Sequence, residues 1–389
     1  MRILISAYAC APDVGSEPQV GFEIVRAAAR EHEVWLVTRE NNVAGVEGAL
    51  TPEERERVHV IGHDLGEAVL RVKRALGRLG IILYYDLWQR SVSDLVAKLQ
   101  NQVGFDVAHH ATFATYWGRM GVAASGAPLV VGPVGGGPVT PAGMWPALGT
   151  AGIVGEIGRR ILRPALYRIS RARSAVRSAS VVLAQNPETA GASAVPTRIL
   201  PNGLLGAVES RPVESGASGP VVYAGRLVGW KGPLLAVAAW RNMGGSDPQL
   251  HVYGKGPDRR RLERAIARWG LQDRVILQGA VPREQVVAAI ARAGAVVHPA
   301  LHDDSPLSVA EALSLGVPLV CLDLAGPPVI ASYWPDVQVR AVRATTPKAT
   351  ARRIAEAIGE VYGKRSTPDV SPRERFAESI LTAYRDSVR

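Results

Sequence analysis

Short apolar runs and amphipathic stretches alternate along most of the chain. In the first half the runs are Ile3–Tyr8, Val34–Thr38, Val58–Gly62, Val107–His110, Leu129–Gly132, Val181–Ala184 and Arg198–Leu200. Stretches of helical periodicity, such as Val20–Arg30, Ser91–Gln102 and Glu156–Ser178, separate most of them. The alternation resumes with Val221–Ala224, Leu250–Tyr253, Val275–Leu277, Ala295–Pro299 and Leu319–Leu322. Short continuous apolar runs between helices predict a parallel sheet covered by helices. A small, polar, Pro/Gly-bearing stretch at 206–219 has the composition of a linker. The organisation expected is therefore an N-terminal domain over 1–205, a linker over 206–219, a C-terminal domain over 220–363 and a helical segment over 364–389. In that last segment Phe376, Ile380, Leu381 and Tyr384 fall at helical spacing. Two α/β domains joined this way leave a cleft at the carboxyl ends of their strands, where such sheets bind ligands.

At 389 residues, with 47% hydrophobic and 21% charged residues, the chain suits two well-packed domains and not a disordered polymer. Two cysteines far apart, Cys10 and Cys321, argue against a disulfide framework or a cysteine metal site and make a reducing, cytoplasmic setting the default. Met1 leads directly into the first apolar run, which leaves no room for a signal peptide. The uncharged stretch 120–155 holds five prolines, which a spanning helix would not tolerate. A net charge of +10 favours anionic partners such as nucleotides or acidic headgroups, or else reflects an arginine-rich proteome. A nucleic-acid partner rests on charge alone and is not expected.

The strongest local signal runs from Ala295 to Pro318. A strand ends near Pro299, a loop carries Asp303, Asp304 and Ser305, and Ser305-Pro306 opens a helix with Ser305 as N-cap. The first-turn amides of Leu307 and Ser308 then form an anion site. Glu311 follows as a buried acid among Val309, Ala310, Ala312 and Leu313, and a ribose diol would supply the donors such an acid needs. A second signal, Val221–Gly232, delivers Arg226 to a glycine-rich turn and Lys231 to the start of a helix, and two cations there suit a diphosphate. A third, Val252–Leu262, sets Gly254 and Gly256 in another strand–turn–helix step, with Arg259 where a dinucleotide fingerprint needs glycine. Adjacent Asp303 and Asp304 invite a Mg²⁺ reading, but the two cations already neutralise a diphosphate, so neither metal nor cofactor is expected.

In the first half, the loop Tyr8–Phe22 is long and glycine-bearing, as ligand-facing loops often are, and presents Gly15, Glu17 and Gly21. Gly132–Pro138, with Gly135 and Gly136, is a second permissive turn after a strand. His109 and His110 end a strand, where alternation points one to the cleft and the other to the core.

Together these motifs resemble, in order and through nearly the whole chain, the retaining glycosyltransferases of family four (glycosyl transferases group 1). The residues that carry the likeness are Gly225–Gly232, Gly254–Pro257, the acids Asp303 and Glu311, the Tyr8–Phe22 loop, Gly132–Pro138 and Pro201-Asn202-Gly203. The resemblance implies a GT-B fold: two Rossmann-like parallel-sheet domains facing across a cleft, with the C-terminal helix returning to the N-terminal domain. It implies a nucleotide-sugar donor held by Arg226, Lys231, Gly254, Gly256, Glu311 and the Asp304–Ser308 loop. Asp303 stands where the family usually has glutamate. A histidine of the N-terminal domain sits beside the reacting sugar, and His110 is assigned to that place. The acceptor side falls to Gly15, Glu17, Gly21, Gly135 and Gly136, and the acceptor is a saccharide or a lipid-linked molecule. A nucleotide-sugar epimerase of the same architecture is the alternative.

Glu156–Ser178 carries seven arginines against one acid, with Ile157, Ile161, Ala165, Ile169, Ala172 and Val176 on one face. A second basic-apolar stretch is Val69–Tyr85. Basic amphipathic helices lie in membrane interfaces, so peripheral attachment to an anionic inner leaflet is expected, against the alternative that the stripe packs on the N-terminal sheet.

Overall fold

The structure, a computed structural model, describes residues 1–389 apart from 13–15, 114, 170–171, 194, 209–218, 245–247 and 369–371. Gly15 and most of the linker stretch 206–219 thus lie outside the described residues. The chain forms two compact units. Unit 1 comprises Met1–Gly137, Leu162–Leu205 and Arg373–Arg389; unit 2 comprises Pro138–Ile161 and Gly206–Pro372.

Unit 1 holds strands β1 (Arg2–Ser6), β2 (Glu33–Thr38), β3 (Val58–Gly62), β4 (Val107–His110), β5 (Leu129–Val134), β6 (Val181–Ala184) and β7 (Arg198–Ile199). They form one parallel sheet in the order β3-β2-β1-β4-β5-β6-β7. Every residue of β4, β5 and β6 is buried, which is why these strands read as unbroken apolar runs. The C-terminal helix Pro372–Ser387 belongs here: Phe376, Ile380, Leu381 and Tyr384 are all buried. Full burial of such side chains stabilises by roughly 1.5–3 kcal/mol each, enough to bring the tail back to the first sheet.

Unit 2 holds β8 (Val221–Ala224), β9 (Leu250–Tyr253), β10 (Val275–Gly279), β11 (Ala295–His298), β12 (Leu319–Leu322) and β13 (Val339–Val342). Their order is β10-β9-β8-β11-β12-β13, again parallel. The apolar pattern does not predict β13. It is an edge strand, paired only with β12, and its Arg340 and Ala341 are exposed, so it lacks the continuous apolar signature. Met144, Ala147 and Leu148 join the core of this unit, so the segment Pro138–Ile161 is built into it.

Instead of one helix over Glu156–Ser178, the structure has helices Trp145–Ile169 and Ala172–Ser178. The first contains Pro164 and is broken by non-helical backbone at Gly149, with φ 72° and ψ 170°. Among the described residues no helix is long and apolar enough to cross a membrane.

Candidate functional site

Both sheets reverse their strand order once, unit 1 between β1 and β4 and unit 2 between β8 and β11. At such a switch point the flanking connections leave on opposite faces, and a ligand crevice opens at the carboxyl ends of the strands.

In unit 2, the loop after β8 carries Arg226 and, through a tight turn over Gly229–Lys231, Lys231 itself. The buried Tyr223 hydroxyl lies 3.3 Å from the carbonyl oxygens of both Arg226 and Lys231, so one donor pins the two ends of the loop from below. Gly232 completes the turn at φ 68°, and a Cβ there would collide with the Pro299 carbonyl at the end of β11. Gly254, at φ 142°, lets the loop after β9 approach the Gly225 carbonyl in the same way. Gly256 backs onto the Leu227 carbonyl, so both glycines also serve the packing of one loop on the next.

Arg226 is exposed, its guanidinium 5.6 Å from the Trp230 ring centre. Among the described residues no carboxylate lies within ion-pair distance of it. Lys231 differs: its ammonium pairs with the Asp303 carboxylate. The same oxygen, Oδ2, lies 3.1 Å from Nε2 of His298, a buried residue at the end of β11. Burial would raise the Asp303 carboxyl, but Lys231 and His298 hold it far below the usual carboxylate range. Burial pushes the His298 imidazole down against the pull of Asp303.

Glu311 lies in the helix Leu307–Ser314 and is buried, with the Arg283 guanidinium donating to it at 2.9 Å. Burial pushes its carboxyl up, and Arg283 opposes that rise. The helix starts one residue later than the capping pattern predicts. Pro306, at ψ 125°, occupies the N-cap and not the first helical position, and no side chain caps the helix. Leu307 and Ser308 still supply first-turn amides, which lack partners within a helix. Asp304 and Ser305 sit in the loop before it, and the Asp304 carbonyl packs against Gly326.

A second layer comes from the segment Pro138–Ile161. His302 stacks on Trp230 at 4.9 Å and 12°. Its Nδ1 lies 3.3 Å from the Arg159 guanidinium and its Nε2 3.6 Å from Glu156. Glu156 is itself buried and accepts from the Thr140 amide at 2.9 Å. These residues hold Trp230, whose ring centre lies 5.6 Å from the Arg226 guanidinium and 4.9 Å from the Lys231 ammonium.

In unit 1 the two histidines at the end of β4 separate. His109 is closed off: Nδ1 lies 2.8 Å from the Tyr384 hydroxyl and Nε2 2.8 Å from the Gly132 carbonyl, and burial pushes it down to about 4. His110, also buried and pushed down to about 3, has Nε2 3.3 Å from the Tyr85 hydroxyl. Its Nδ1 has no hydrogen-bond partner among the described residues. Glu17 accepts from the Phe113 amide at 3.1 Å, Gly21 lies in the helix Ser16–Ala29, Gly135 bridges Thr115, and Gly136 backs onto the Trp117 ring.

Residues 215–366 match the model of the family described as glycosyl transferases group 1. That stretch is a glycosyl transferases group 1 domain. It contains Arg226, Lys231, His298, Asp303 and Glu311, whereas Glu156 and Arg159 lie outside it. The chain is similar to a 2-deoxystreptamine glucosyltransferase of Streptomyces kanamyceticus, 31% identical over 112 residues, which are 28% of this chain and 29% of that protein. It is also similar to a 2-deoxystreptamine N-acetyl-D-glucosaminyltransferase of Streptomyces fradiae, 25% identical over 178 residues, 42% of this chain and 39% of the relative. Each match thus spans well under half of the curated relative. Among solved structures, Anabaena HepE in complex with UDP and glucose aligns over 98% of this chain and 97% of its own, with 15% identity and a TM-score of 0.54. Sucrose-phosphate synthase from Thermosynechococcus elongatus aligns over 99% and 98%, with 18% identity and a TM-score of 0.56. At such identity the likeness is one of fold, and the fold is GT-B.

The residues that motif reading passed over are the partners of the site: the buried His298, Tyr223, His302 and Glu156, the half-buried Trp230 and the exposed Arg283. His298 and His302 lie within the Ala295–Pro318 stretch, and two histidines so close to Asp303 were the available signal. Nothing local marks Arg283 or Glu156.

Proposed function

We propose that the protein is a retaining, metal-independent glycosyltransferase that takes a sugar from a nucleoside diphosphate donor and passes it to a saccharide or lipid-linked acceptor. One observation carries this reading: at the switch point between β8 and β11 the loop after β8 carries Arg226 and Lys231 beside one another over Trp230, and Lys231 pairs with Asp303 in the loop that leads to the helix of Glu311. Glu311 takes the ribose hydroxyls. Arg226, with Lys231, holds the diphosphate, and the amides of Leu307 and Ser308 add donors where charge develops on the leaving phosphate. Asp303, one methylene shorter than glutamate and fixed on two sides, addresses a hydroxyl of the donor sugar. Departure of the nucleoside diphosphate and attack by the acceptor on the same face keep the anomeric configuration.

The acceptor belongs to unit 1. His110, not His109, contacts substrate there, since both nitrogens of His109 are engaged. Exposed apolar side chains support attachment to an anionic bilayer: Val72, Leu76, Ile82 and Leu83 beside Arg71, Lys73 and Arg74, and Val154, Ile161 and Leu162 on the helix Trp145–Ile169. Val176, at the far end of that stripe, is buried in the core of unit 1, so only the earlier part faces outwards.

Calorimetry against UDP-, GDP- and ADP-sugars, with and without EDTA, tests the reading. One donor should bind and be turned over in chelator. Binding by none would overturn it, and turnover of the donor without acceptor into another nucleotide sugar would make the enzyme an epimerase.

A further inference from the structure

Unit 1 contains a pocket of about 440 Å³ that the donor site does not explain, lined among others by Arg39, Glu40, Asp64, Lys73 and Arg74. It sits at the carboxyl ends of β2 and β3, since Arg39 follows Thr38 directly and Asp64 comes two residues after Gly62. That is the carboxyl edge of the sheet, beside the switch point between β1 and β4 where ligands of such sheets bind.

The charges in this pocket do not cancel evenly. Arg39 grips Asp64 with two bonds, Nε to Oδ1 at 2.9 Å and Nη2 to Oδ2 at 3.1 Å, and the Tyr84 hydroxyl donates to the same acid at 2.6 Å. Arg74 pairs with Glu67 at 2.9 Å. Glu40 opens the helix Glu40–Ala49, where the helix dipole offsets its charge. Lys73 is left over. Its ammonium donates to the Tyr8 hydroxyl at 3.1 Å and lies 4.4 Å from the Tyr84 ring centre, with no carboxylate of the described residues within ion-pair distance. Phenol rings and one hydroxyl compensate a part-buried cation only partly. Burial and the nearby Arg39 accordingly pull the lysine below its ordinary value.

We propose that this pocket binds the phosphoryl group of a phosphorylated saccharide through Lys73 and Arg74, with Glu40 and Asn41 left to meet sugar hydroxyls. A phosphate supplies the missing negative charge and accepts several hydrogen bonds from an ammonium that uses one. The volume exceeds what phosphate alone needs and suits a small sugar attached to it. An acceptor carrying an amine would meet Lys73 as a like charge. Tyr8 and Tyr85 pack edge-on at 5.2 Å and lead from Lys73 to His110, whose strand β4 lies about 10 Å, two strand spacings, from β2. An acceptor anchored at Lys73 thus reaches the histidine that unit 1 offers. This last step rests on the glycosyltransferase reading; the phosphate site does not.

The test titrates inorganic phosphate into the full chain, as wild type, as Arg226→Ala to disable the diphosphate cation, and as Lys73→Met and Lys73→Arg. Wild type, Arg226→Ala and Lys73→Arg should bind alike, and Lys73→Met should bind at least tenfold more weakly with an unchanged circular dichroism spectrum. Equal affinity in Lys73→Met, or loss in Arg226→Ala alone, overturns the proposal. Vesicles of phosphatidylglycerol that displace phosphate through Lys73 would assign the phosphoryl group to a lipid headgroup; failure to displace it leaves a soluble sugar phosphate. Lys73-dependent phosphate binding in a protein that transfers no sugar would sink the proposed function and leave this site standing.

Discussion

Nε2 of His298 and Oδ2 of Asp303 lie 3.1 Å apart, on the same carboxylate oxygen that takes the Lys231 ammonium. A largely buried carboxylate held on two sides is fixed both in charge and in direction. Its ionised form is present above its folded value and is lost as pH falls through that value. Removing His298 raises the value, so the acid limb of the rate profile should move to higher pH in His298→Leu. A hydrogen bond to a charged group is worth about 1.5–3 kcal/mol, so kcat should fall roughly tenfold to a hundredfold. His298→Gln, which keeps a donor, should recover most of it. A His298→Leu enzyme with the wild-type profile would make the histidine a packing residue only.

Arg283 is the corresponding partner of Glu311. Burial already pushes the Glu311 carboxyl up, and Arg283 is what restrains it. Without the guanidinium the acid protonates at higher pH. Donor affinity in Arg283→Ala should therefore weaken as pH falls, well before it does in wild type, and match wild type in alkaline buffer. Glu311→Gln should weaken the donor tenfold to a hundredfold at neutral and alkaline pH, by the same ~1.5–3 kcal/mol. Calorimetry across pH on both variants separates the two behaviours.

Arg226 and Lys231 should not behave alike when replaced. Arg226 is exposed and has no carboxylate partner among the described residues, so Arg226→Ala should weaken the nucleoside diphosphate and leave urea stability unchanged. Lys231→Ala removes the partner of a buried acid, a change that costs up to about 3–5 kcal/mol in other proteins. Part of that is spared here because His298 stays. A clear drop in the urea midpoint for Lys231→Ala alone is the expected outcome. Equal stability of the two variants would mean that the Lys231–Asp303 pair contributes little.

Membrane attachment has its own signature. Sedimentation with anionic vesicles should be lost on raising salt, and Ile82→Glu and Ile161→Glu should each weaken it, since these side chains are 66% and 64% exposed. Equal failure of the wild type to bind neutral and anionic vesicles at low salt would remove the membrane from the proposed function.

Strand positions were legible in the chain itself because strands buried on both faces must be apolar throughout, and the central β4, β6, β8 and β12 keep the expected bounds. The loops that hold Arg226, Lys231 and Glu311 were legible for a related reason: glycine, cation and helix start lie within a few residues of one another. The edge strand β13 and the helix break at Gly149 were not, since neither has a distinct local pattern. The partners of the site escaped sequence reading because they are long-range. Lys231 and Asp303 are 72 residues apart, Arg283 and Glu311 28, and His109 and Tyr384 275. Sequence alone determined which residue types stand at the ends of strands. Only the order of the strands, with β11 inserted beside β8, decided which of them meet. The physical reason is that burial can be read residue by residue, whereas a buried charge is satisfied by whatever group the topology places beside it.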